Sequence, residues 1–169
     1  MLQYAWTCSC CGKQYSTLPL DFGAEAPDYW YGIPREERDA RSVLTPDFCT
    51  IDSEHHFIRG CLELPIIGMD EKLVFGAWVS LSEASLQRAA ELWDVDVVEG
   101  EPPRFGWLST NIRLYPRTLE LKAGVYFRGG GLRPLVEVEP TDHPLAIEQQ
   151  RGITMKRVQE IVAALMHRH

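Results

Sequence analysis

Residues 56 to 66, HFIRGCLELPI, alternate in character: His56, Ile58, Gly60, Leu62, Leu64 and Ile66 are mostly apolar, while Arg59 and Glu63 fall on the opposite side. A period of two marks a strand with one buried face. The next apolar run, LVFGAWVSL at residues 73–81, is apolar on both faces, short and rich in β-favouring side chains, so it reads as a central strand. The segment from Gly68 to Glu71 joins the two as a hairpin. Further strands are predicted in FGWLS, TLELKAGVYF and RPLVEVEP, which makes the sheet largely antiparallel.

The period changes between and after these runs. Ser80 or Ser82 caps a helix whose Leu86, Ala89, Ala90 and Trp93 share a face. Asp142 caps another, with Pro144 in its first turn and Gly152 past its end; Thr154 caps a third, in which Val158, Ile161, Val162, Leu165 and Met166 form an apolar stripe. Pro34 starts a short charged helix that ends near Arg41, and the proline-rich stretch before it reads as an ordered loop. The expected fold is α+β: a single domain with a mostly antiparallel sheet of about five strands, helices packed on one face, and an N-terminal zinc-knuckle-like segment. Residues 1–20 form the cysteine knuckle segment and 21–169 the α+β core, in one structural domain overall.

Seventeen basic residues against 24 acidic ones give a net charge of −7, which repels phosphate backbones and argues against nucleic-acid partners. The longest uncharged apolar stretch is far short of the roughly 20 residues of a membrane helix, and the N-terminus has no basic and apolar leader pattern. The cytoplasm is the expected compartment, with no membrane association.

Five cysteines without a secretion signal read as thiols or ligands rather than as a disulfide framework. Cys8 and Cys11 are spaced C-x-x-C and followed by Gly12, half of a zinc ribbon. Two further ligands must come from downstream: Cys49, with Cys61 or His56 as the fourth. The same pair read as a redox couple needs a helix after Cys8, which Gly12, Tyr15, Ser16 and Thr17 disfavour; inert buried thiols are the third reading. DSEHH, residues 52–56, is either a solvated turn or a cluster of two carboxylates and two imidazoles. His143 stands at a helix start, as a base, a ligand or a cap. GGGLRP lacks the pattern of a phosphate loop and reads as a turn. Tyr29, Trp30 and Tyr31 in one loop, and Phe105 and Trp107 in another, are candidates for lining a ligand cleft or anchoring a partner. No G-x-S-x-G elbow occurs, so the residues offer no positive sign of catalysis.

In order, CSCCG, PDYWYGIPREERDAR, DFCTIDSEHHFIRGCLELPI, VFGAWVSLSE, FGWLST, YPRTLELK, RPLVEVEPTDHPLAIEQQRGIT and the terminal MHRH resemble the bacterial domain of unknown function family 2199 over nearly the whole chain. The resemblance implies a compact single-domain protein whose C-x-x-C-G looks like a zinc-binding knuckle. Its signatures fall here on Cys8, Cys11 and Gly12, on Asp47 and Cys49, and on His143, Pro144, Leu145 and Ala146. The acidic residue and histidine that it implies soon after the glycine are replaced by Lys13, Gln14 and Tyr15. Acidity and the lack of a catalytic motif together favour a non-enzymatic module that binds another protein, in its specific form an immunity protein masking a toxin. The alternative is a small-molecule binder or enzyme using a cleft near His143 and the aromatic loops.

Overall fold

The computed structural model describes residues 1–167. Arg168 and His169, the end of the MHRH segment, lie outside the described residues. The chain begins with a hairpin of β1 (Leu2–Thr7) and β2 (Gln14–Leu18), a two-stranded sheet of its own. Short elements follow: β3 (Asp21–Gly23), α1 (Asp28–Tyr31), a 3-10 turn at Arg35–Glu37, α2 (Arg38–Arg41), β4 (Ser42–Leu44) and β5 (Phe48–Ile51).

The centre of the molecule is β6 (His55–Pro65) and β7 (Lys72–Leu81), antiparallel along their whole length from His56↔Leu81 to Pro65↔Lys72. The helix α3 (Glu83–Leu92) follows, capped by Ser82, whose hydroxyl accepts from the Ser85 amide. Then come β8 (Arg104–Leu108), β9 (Lys122–Tyr126) and β10 (Leu135–Val138), and finally α4 (Pro144–Arg151) and α5 (Met155–Met166). Among the described residues no helix is long and apolar enough to cross a membrane.

The expected sheet of about five mostly antiparallel strands is present, and it closes on itself as a barrel, which the expectation of helices packed on one face did not include. β6, β7, β8, β9 and β10 each pair antiparallel with the next, and β10 returns to β6 through Leu135↔Cys61. A meander with an odd number of strands has its first and last strands running the same way, so the closing pair is parallel. Glycine makes the closure possible: a Cβ on Gly60 would overlap the Val136 Cγ2 methyl and stand 2.9 Å from the Pro134 carbonyl.

The alternation in β6 now has its physical meaning. Ile58, Leu62 and Leu64 point into the barrel and meet Val79, Phe75 and Leu73 across the β6–β7 ladder, with Leu108, Ala123, Val125, Val136 and Val138 in the same core. The outer face of β7 is also covered, because Trp78 packs in a second cluster with Ile33, Cys49, Ile51 and Phe57. Burial on both sides accounts for the doubly apolar run. Val158, Ile161, Val162 and Ala163 bring the apolar stripe of α5 onto the main core, and Trp6, Cys8 and Leu18 bring the N-terminal hairpin to it.

Candidate functional site

Two places concentrate chemistry. The first is the turn between β1 and β2. The Gly12 amide donates to the Cys8 carbonyl at 2.8 Å and the Cys8 amide to the Lys13 carbonyl at 2.9 Å, closing a tight loop that needs the positive φ of 72° at Gly12. The loop brings Cys8 and Cys11 together, and the end of α5 adds a third donor: His167 Nε2 lies 3.1 Å from Cys8 Sγ. The ligand atoms of Cys8, Cys11 and His167 all lie within 4.8 Å of one another. Burial pushes the Cys8 thiol up, but the amides of Cys11 and Cys10, the Cys11 thiol and His167 outweigh it and bring the group down to about 7.

The second is a cleft of about 1300 Å³ beside the barrel, where the start of β6, the end of β7, β8 and the helix α1 meet. Its walls include Tyr29 stacked near Phe57, with ring centres 6.1 Å apart, and Phe105 set edge-on to Trp107 at 5.1 Å. The Tyr29 hydroxyl donates to Glu120 Oε1 at 3.2 Å, and Glu120 holds a left-handed backbone, φ 69°, that few non-glycine residues adopt. Asp28, Glu54, His55, His56, Ser82 and Ser85 supply polar groups to the rim and floor. Burial raises the Asp28 carboxyl above its ordinary value, partly offset by the Asn111 amide. Arg41, the only arginine among the described residues of the lining, is held by Asp52 through two contacts of 2.9 Å and by Glu37 at 2.8 Å.

Residues 7–153 match the profile of a family described as an uncharacterized protein conserved in bacteria, DUF2199. The chain belongs to that family. No curated protein and no solved structure matches it. The DUF2199 match takes in Cys8, Cys11 and the whole cleft lining but stops short of His167.

Within this DUF2199 chain the expected site residues separate. Cys8 and Cys11 meet, whereas Cys49, Cys61 and His56 lie elsewhere. Cys49 is sealed in the second core cluster, where burial pushes its thiol up to about 11. Cys61 is half-buried with Arg128 Nη2 at 3.7 Å, and His56 Nδ1 stands 3.2 Å from the Thr50 hydroxyl. Asp52, Ser53 and Glu54 of the DSEHH segment form a tight turn between β5 and β6, with Asp52 and Ser53 both at positive φ, while His55 and His56 open β6.

Tyr29, Phe105 and Trp107 converge on the cleft. Trp30 does not line it: its indole donates to the Ser42 hydroxyl and its ring stacks under Arg38, with Tyr31 against its edge. His143 also faces away, because its Nδ1 accepts from the Leu145 amide to cap α4 and its Nε2 meets the carbonyls of Pro116 and Arg117. It takes the capping position expected for Asp142.

Sequence reasoning missed His167, which stands 159 positions from Cys8, and missed Phe57, Asp28 and Glu120 as cleft residues. The histidine-bearing end of an apolar-striped helix was the available signal for the first. The others carried no local pattern.

Proposed function

We propose that this is a non-catalytic binding protein of the cytoplasm, whose aromatic cleft receives an apolar, positively charged segment of another protein and whose N-terminal turn is fixed by a structural zinc ion. The observation that carries the reading is the cluster of Tyr29, Phe105 and Trp107, which are 42%, 52% and 43% exposed around one concave opening. Large aromatic side chains left in water around a concavity are the anchors that partners bury. The volume exceeds the roughly 300–1000 Å³ of ordinary small-molecule pockets. Among the described residues Asp28 and Glu54 form no ion pair, Glu120 meets Arg117 at 3.7 Å, and Arg41 is already occupied by Asp52 and Glu37, so the opening favours cations, as does the net charge of −7.

A specific form of this reading is an immunity protein that masks a basic toxin; its test is a neighbouring toxin gene that kills only when this chain is missing. The enzyme or small-molecule alternative draws no support from His143, whose ring nitrogens are turned to backbone groups away from the cleft.

For the metal, two thiols and an imidazole are donor types that zinc prefers, and bond lengths of about 2.0–2.3 Å bring such donors together at spacings compatible with the 4.8 Å limit of this cluster. Zinc bound by Cys8, Cys11 and His167 supplies a cross-link between the first hairpin and the last helix.

The binding reading is tested by selecting displayed random peptides on the protein. Enriched sequences are expected to combine Lys or Arg with apolar residues, and Trp107→Ala to weaken a selected peptide by about 2 kcal/mol, roughly thirtyfold. Acidic winners, or equal binding to a Phe105→Ala, Trp107→Ala variant, would contradict it.

A further inference from the structure

The outer face of β6 carries a basic cluster that neither the cleft nor the metal turn uses. Arg59 lays its guanidinium over the backbone of two glycines on neighbouring strands, Gly23 of β3 and Gly76 of β7, which pair with each other. A Cβ on Gly23 would overlap Arg59 Nη2, and one on Gly76 would stand 3.0 Å from Nη2 and 3.1 Å from Nε. The sequence therefore clears a floor for this one side chain. Yet among the described residues the Arg59 guanidinium finds no hydrogen-bond acceptor, and its Nε is fully shielded from solvent. Arg59 as a whole is only half-buried, so an acceptor for its terminal nitrogens has to come from outside the described residues.

The neighbours agree. Gly76 is the cross-strand partner of Cys61, so the Arg59 guanidinium and the Cys61 thiol share one patch of the sheet face. From the other side Arg128 places Nη2 3.7 Å from Cys61 Sγ while its Nε donates to the Arg133 carbonyl at 2.7 Å. The nearby acids are already engaged: Asp47 holds Arg133 at 2.7 Å and Glu63 holds Lys72 at 2.8 Å. Three guanidiniums, Arg59, Arg128 and Arg133, against the Asp47 carboxylate leave two positive charges in a strongly acidic chain.

We propose that Arg59 and Arg128, on either side of Cys61, form a binding site for a phosphate group. Guanidinium forks match the paired oxygens of phosphate, and two uncompensated positive charges match its dianion better than they match a single carboxylate. The site is independent of the cleft and stands or falls without it.

Cys61 is the reporter. Its alkylation by iodoacetamide, followed by mass mapping of its peptide, is measured in inorganic phosphate, in acetate and in chloride at equal ionic strength, with exposed Cys10 as the internal standard. Phosphate is expected to slow the reaction at Cys61 and leave Cys10 unchanged. Arg59→Gln and Arg128→Gln are each expected to raise the half-protecting phosphate concentration about tenfold, the loss of one charge-assisted contact. Arg128→Gln leaves the β3–β7 floor untouched and carries the test if Arg59→Gln fails to fold. An unchanged Cys61 rate in phosphate, equal protection by acetate, or protection retained in both variants would each overturn the proposal.

Discussion

Cys49 and Cys8 are both buried thiols, and their surroundings give them opposite chemistry. Cys49 sits among Ile33, Ile51, Phe57 and Trp78, and burial alone pushes it up to about 11. Cys8 is instead surrounded by amides, a second thiol and an imidazole. At pH 8 in native protein Cys49 is expected to resist alkylation that labels exposed Cys10, and to react only on unfolding; equal rates would contradict its placement. The sign of the linkage follows. The folded state keeps the Cys49 proton above its ordinary value of 9.0, where the unfolded chain loses it, so stability falls as pH rises from about 9 toward about 11. A Cys49→Ala variant is expected to flatten that fall in urea titrations across the same range. At this scale the sequence revealed the Cys8 and Cys11 pair and three of the cleft aromatics, because spacing and loop composition are local. It could not reveal Cys49 as inert, since its neighbours are brought in by other strands.

Elements were legible where a period imposes them. β6 and β7 follow from alternation and from burial on both faces, and α3 and α5 from their Ser82 and Thr154 caps. TLELKAGVYF yields a strand only from Lys122 onward, because Thr118 is bound into a buried network with the Thr110 carbonyl and the Ile112 amide, and Glu120 turns left-handed. Barrel closure was illegible, since a flat and a curled sheet share the same alternation. It depends on Gly60 at the seam between β6 and β10. Gly60→Ala is expected to cost about 1–3 kcal/mol, the scale of overpacking, seen as a lower urea midpoint; an unchanged midpoint would mean that the seam is loose. Thr154→Ala, which removes the hydroxyl that accepts from the Arg157 amide, is expected to cost about 1 kcal/mol.

On the scale of the whole molecule, the first hairpin and α5 pack into the same core as the barrel, and the Cys8, Cys11 and His167 cluster joins the two. Protein purified without a metal-affinity tag is expected to carry about one zinc per chain, absent in a Cys8→Ser, Cys11→Ser variant and reduced in His167→Ala. Chelation is expected to lower the thermal midpoint of one cooperative transition; metal-free protein of unchanged stability would remove the zinc reading. The cleft lies on a different part of the barrel, formed by α1, β6, β7 and β8. Its role as the binding surface is the central claim, and the five tryptophans allow a direct test. Their indole N–H signals are followed by NMR while a selected cationic peptide is added. The account predicts that Trp107 moves while Trp6, whose indole is bonded to the Thr17 carbonyl beside the metal turn, stays fixed. A peptide that binds and leaves the Trp107 signal unmoved would contradict it.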